Sequence, residues 1–120
     1  RTWRGHEHFF SAAARAMRRI LIDSARKKKS EKRGGQLQRT SLDDVDAAID
    51  PDDSETLLAL DDALSALERE DPDLAKLVQL RYFAGMTVEQ TAELLGSSPR
   101  TVKRNWAFAR AWLKRKMQGD

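Results

Sequence analysis

The sequence contains no cysteine, which removes disulfide frameworks, thiolate metal sites and thiol nucleophiles, and which fits a reducing compartment. Its apolar runs are only a few residues long, far short of the ~20 needed to span a bilayer, and no signal-peptide pattern opens it. The expectation is a soluble, cytoplasmic protein with no membrane partner. No Gly-rich phosphate loop is present, and no nucleophile, base and oxyanion donor recur at a spacing that would build a catalytic site. The His6-x-His8 pair has no carboxylate pair or thiol beside it. Asp43, Asp44 and Asp46 lack the spacing and closing Glu of a calcium loop. No metal, no cofactor and no enzymatic activity are therefore expected. At 120 residues, one modest domain or two very small ones are possible, with no wide pocket.

What is present is charge, and it is segregated. Charged residues make up 34% of the chain against 40% apolar, for a net charge of only +3. That small sum conceals net +8 over residues 1–35, −11 over 36–75 and +6 over 76–120. Two basic blocks flanking an acidic one suggest two polyanion contacts joined by a segment that nucleic acid repels.

Periodicity predicts an all-α chain. In the first block Phe10, Ala13, Ala14, Met17, Ile20, Leu21 and Ala25 recur at three- and four-residue steps, which predicts an amphipathic helix packed on that face. Arg15, Arg18, Arg19, Arg26 and Lys29 then gather on the opposite face as a cationic stripe. Gly34 and Gly35 end this segment, and residues 34–53, rich in Asp and without sustained period, read as an acidic linker with a short turn near 42–49. A second helix follows from Ser54 to Glu70. Asp71 and Pro72 cap and open a third, running to Phe83 before Gly85.

The densest signals come next. Thr87 and Gln90 form a Thr-x-x-Gln capping box for a short helix that Gly96 stops, and Ser98-Pro99 at once starts another that runs to Met117. Two helices across a turn of about three residues containing glycine are the mark of a helix-turn-helix. Val102, Trp106, Ala109 and Leu113 share a narrow arc and should pack inward, while Arg100, Lys103, Arg104, Arg110 and Lys114 should point outward. The second helix of such a motif meets base edges with residues near its N-terminus. Arg100, Thr101, Lys103 and Arg104 occupy that position, and the amides from Ser98 to Arg100 suit a phosphate. Arg110, Lys114 and Arg115 fit backbone contacts, which position without specifying. Trp106 reads as core and Trp112 as the edge of the buried arc. At the other end, Trp3, Arg4, His6, His8, Phe9 and Phe10 mix aromatic and cationic side chains, a composition suited to unpaired bases.

These residues resemble a known family. LRYFAGMTVEQTAELLGSSPRTVKRNWAFARAWLKRKM is similar to region 4 of sigma-70 family RNA polymerase sigma factors, particularly the extracytoplasmic function (ECF) group. WRGHEHFFSAAARAMRRILIDSARKKKSEKRGG resembles the end of region 2 in one ECF subgroup. The resemblance implies three parts: a region 2 remnant at 1–33, an acidic linker at 34–53, and a four-helix region 4 domain with its helix-turn-helix at 54–120. It implies a sigma factor that recognises promoter DNA as a subunit of bacterial RNA polymerase, with an anti-sigma factor as a possible further partner. Ser98, Arg100, Thr101, Lys103, Arg104, Arg110 and Lys114 would then serve the −35 element. Trp3, Arg4, Arg15, Arg18, Arg19 and Arg26 would serve the −10 element.

The family's region 2 begins with further helices, and this sequence starts after them. Without those helices the apolar face led by Phe9, Phe10, Met17, Ile20 and Leu21 is expected to pair with a second chain, giving self-association, or with the C-terminal domain. Two rival readings stay open from the residues alone: a stand-alone dimeric helix-turn-helix regulator, and a module whose basic faces bind an acidic protein.

Overall fold

The computed structural model describes residues 6–31 and 54–119, and these are helix and turn throughout. Helix α1 spans Glu7–Glu31, α2 Ser54–Glu70, α3 Pro72–Val78, α4 Val88–Leu95 and α5 Pro99–Met117. The last four form the helical domain expected from the periodicity. Trp3, Arg4, the linker with its turn at 42–49, and Asp43, Asp44 and Asp46 lie outside the described residues.

Local chemistry sets the helix ends. Asp71 caps α3 by accepting the Leu74 N–H at 3.1 Å, with Pro72 in the first turn where a missing N–H costs nothing. The expected helix to Phe83 has the right extent, but α3 stops at Val78 and its last turn, Gln79–Phe83, is widened into a π-helix. The Ala84 N–H reaches back five residues to the Gln79 carbonyl at 3.2 Å. Two residues apart on this wide turn, Gln79 faces α1 and Arg81 faces α5. Leu60, Leu64 and Leu67 of α2 meet Val78, Trp106 and Leu113 in one buried cluster. Leu80 and Leu94 join Ala14 of α1 in a second.

Helix α1 lies across α2 and the π turn with Phe10, Ala13, Ala14, Leu21 and Ala25 of the expected apolar face buried or half-buried, but turned so that Met17 and Ile20 of that face are exposed. Ser11, Ala14, Ile22 and Ala25 are buried, whereas Phe9 and Ile20 are 64% and 63% exposed and Met17 is also exposed. Arg18 sits at the centre of the packed face with its side chain 12% exposed, so it does not belong to the outward cationic stripe. The partner surface explains the rotation. It offers Asp61, Ser65, Glu68 and Gln79, and Arg18 fills it: Nε donates to Asp61 Oδ1 at 2.7 Å and Nη2 to Ser65 Oγ at 2.9 Å and to the Asp61 carbonyl at 3.2 Å. Nη1 donates to Glu68 Oε2 at 3.1 Å and Gln79 Oε1 at 3.2 Å. Asp61, 17% exposed, would lose much of its hydration under an apolar side chain with no cation to offset it, whereas Glu68 is 39% exposed and stays partly screened; the guanidinium satisfies both and takes the central position. Small residues on either side of it, Ser11, Ala14 and Ala25, let the helices approach. The apolar face was expected to pair with a second chain or the C-terminal domain. Phe10 and Leu21 do pack on that domain.

Candidate nucleic-acid interface

The turn between α4 and α5 is built from the signals the sequence displays. Thr87 Oγ1 accepts the Gln90 N–H at 3.0 Å while Gln90 Oε1 accepts the Thr87 N–H at 3.0 Å, closing the capping box. Gly96 ends α4 with φ 69°, the left-handed conformation that a Cβ disfavours, and the Ser97 N–H returns to the Ala92 carbonyl at 2.9 Å. Ser98 then caps α5: its Oγ accepts the Thr101 N–H at 3.1 Å and donates to Thr101 Oγ1 at 3.0 Å. Both hydroxyls are thus committed to the cap. Pro99 has no N–H, the Thr101 N–H is taken by the Ser98 hydroxyl and the Val102 N–H by the Ser98 carbonyl. Of the amides expected from Ser98 to Arg100, Pro99 is lost and those of Ser98 and Arg100 are not used by the cap.

Helix α5 carries 7 basic and no acidic residues. Val102, Trp106, Ala109 and Leu113 are buried, as their spacing predicts. Arg100, Lys103 and Arg104 are exposed, and among the described residues no carboxylate pairs with them. Arg110 and Lys114 are half-buried and do not project as the spacing suggested. Arg110 lies over the Trp106 ring, 5.7 Å from its centroid, and Arg81 of the π turn lies over the same ring at 4.9 Å while donating to the Met86 carbonyl at 2.7 Å. The flat, delocalised indole holds both guanidiniums by cation–π attraction. Trp112, at the edge of the buried arc, is half-buried, with the Lys116 ammonium 5.9 Å from its ring.

Sequence reasoning missed four residues here. Ala107, Phe108 and Ala111 are exposed between Arg104 and Arg115, and Phe108 is 59% exposed. Ala107 and Phe108 follow Arg104 by three and four residues and Ala111 follows Ala107 by four, so the helical spacing carries that signal in the sequence. The two alanines leave the backbone of α5 accessible between the cations, with Phe108 beside them. Arg81 carries no such signal, because only the fold brings it to Trp106.

On α1, Arg15 and Arg19 are exposed on one flank, away from both the packed face and the Phe9–Ile20 stripe. Arg26 shares that flank but is tethered, 3.6 Å from Asp23 and 4.0 Å from Asp61. Arg18 is enclosed. The structure brings together Ser98, Arg100, Thr101, Lys103 and Arg104 at one end of α5, and leaves the α1 arginines on a separate helix.

A short helix, a glycine turn and a capped second helix with an unneutralised basic face have the arrangement of a helix-turn-helix. The family model described as ECF sigma factor matches residues 1–119, and the chain belongs to that family. Its role is that of a sigma factor in transcription initiation, a non-catalytic one. No curated protein and no solved structure matches it. Among the described residues no helix is long and apolar enough to cross a membrane.

Proposed function

We propose that the chain recognises promoter DNA as a subunit of bacterial RNA polymerase in the cytoplasm, reading the −35 element with α5. In this reading 54–120 is the −35 domain, 34–53 a linker and 1–33 the end of the −10-reading region. Arg100, Lys103 and Arg104 carry base and phosphate contacts, Thr101 and Ser98 shape the helix end beside them, and Lys114 and Arg110 act from the flank. Arg15 and Arg19 are the α1 side chains placed to meet DNA. The observation that carries the reading is the outward face of α5, where cations stand without carboxylate partners beside two alanines. A helix made basic for solubility alone needs neither the alanines nor the capped entry.

The test is reconstitution with core polymerase followed by footprinting. Co-elution with core and protection of an asymmetric site including the −35 element are expected. A stable dimer protecting a palindrome without core would replace this reading with the stand-alone regulator.

A further inference from the structure

The two flanks of α5 differ in character. At about 100° per residue, Lys103, Arg110 and Lys114 extend the basic face on one side. On the other, Thr101, Asn105 and Phe108 border a hollow of about 600 Å³ whose far wall is the start of α3 and the first turn of α1. Leu74 and Leu77, both buried, and the half-buried Leu95 give it an apolar floor, with the exposed Phe108 ring at the edge. Glu7 and Lys76 also line it, but their 2.6 Å ion pair makes them neutral together. Asp71 and Asp73 are exposed at the rim, and among the described residues neither has a cation partner. Asp71 uses one oxygen on the Leu74 N–H.

An apolar floor with charged groups at its rim is the anatomy of a protein interface. The charge decides what fits. Two carboxylates within about 10 Å of an approaching phosphate repel it at physiological salt, so a duplex is held off this flank, and an acidic protein is excluded for the same reason. Arginine meets every surface the hollow offers. Its methylene stem covers the leucines while its guanidinium reaches a carboxylate in a paired geometry or stacks on an aromatic ring.

We infer that this hollow docks an arginine-bearing segment of a second protein, with Asp71 and Asp73 as its counter-ions and Phe108 as the ring on which a guanidinium stacks. The docking site goes beyond the promoter reading and does not depend on it. One consequence does: a cationic occupant cancels the charge that repels the duplex, so partner and −35 duplex bind with positive coupling, each strengthening the other by the same factor.

The probe is a hexapeptide of alternating arginine and leucine, about 20 Å long when extended, titrated against the isotope-labelled full chain and followed through its amide resonances. Shifts are expected at Asp73, Leu95, Asn105 and Phe108. Asp71→Asn with Asp73→Asn preserves the helix cap, since Asn caps as well as Asp, and should weaken the peptide about 5- to 10-fold. Phe108→Ala should weaken it about 2- to 5-fold. Glu55→Gln with Asp62→Asn removes the same charge from exposed positions of α2 and should change the affinity by less than about twofold. In a separate arm without peptide, the double-Asn variant should bind a −35 duplex about two- to fivefold more tightly than wild type in low salt.

Shifts confined to α1 or α2 would overturn the docking site. So would an equal loss in the α2 control pair, or full affinity in both the double-Asn variant and Phe108→Ala. Unchanged duplex affinity in the double-Asn variant would overturn the coupling. Failure of wild type to bind the −35 duplex at all would instead refute the promoter reading, and the peptide titration, run without DNA, would still decide the docking site.

Discussion

Replacing Arg100, Lys103 and Arg104 together by Ala tests whether α5 is the DNA-binding face. All three are exposed and without carboxylate partners, so the change removes charge without opening a cavity and Ala favours the helix. The cost should fall on DNA binding and not on stability. If each side chain neutralises one phosphate, the slope of log affinity against log salt becomes shallower by about 2.7. Between 50 and 200 mM salt, the wild type then loses about 40-fold more affinity than the variant. Fluorescence anisotropy of a labelled −35 duplex over that salt range measures both slopes, and circular dichroism confirms equal helix content. Parallel lines would show that these cations make no phosphate contact. A steeper slope in the variant would exclude α5 as the interface.

Two further substitutions probe how that face is held. Trp106→Ala removes a side chain that is 5% exposed and a platform for Arg81 and Arg110, and should cost about 3–5 kcal/mol in urea unfolding. A loss under 1 kcal/mol would mean that the indole is not part of the core. Ser98→Ala removes the acceptor of the Thr101 N–H and should cost about 1 kcal/mol. Ser98→Asp should restore the cap and thermal stability yet weaken DNA binding, because it sets a carboxylate at the end of α5 that faces phosphates; equal binding by Ser98→Asp and wild type would place DNA away from this helix end.

The C-terminal domain was legible because its signals are local. A cap is written within three or four residues, as in Asp71-Pro72, Thr87 to Gln90 and Ser98-Pro99, and each forms the hydrogen bond its residue types require. The buried arc of α5 was legible for a related reason: three tryptophan-, leucine- and valine-bearing turns outweigh any partner's preference. Helix α1 was not legible in that way. Its apolar residues spread over a wide arc, so the buried strip depends on what lies opposite, and what lies opposite is Asp61 and Glu68, more than forty positions away. The half-burial of Arg110 has the same origin. Its spacing directs it outward, but the Trp106 ring, one turn back on the same helix, draws the guanidinium onto its face.

The charge blocks of the sequence become layers in space. Acidic α2 packs against basic α5 on one side and basic α1 on the other, so Asp61 faces Arg18 and Arg26. Carboxylates within about 10 Å of a cation are close enough to weaken its attraction for phosphate at physiological salt. Those on α2 that meet α1 are neutralised there, whereas Asp71 and Asp73, which line one hollow with Thr101, Asn105 and Phe108, stay close enough to α5 to weaken its attraction for phosphate on that side.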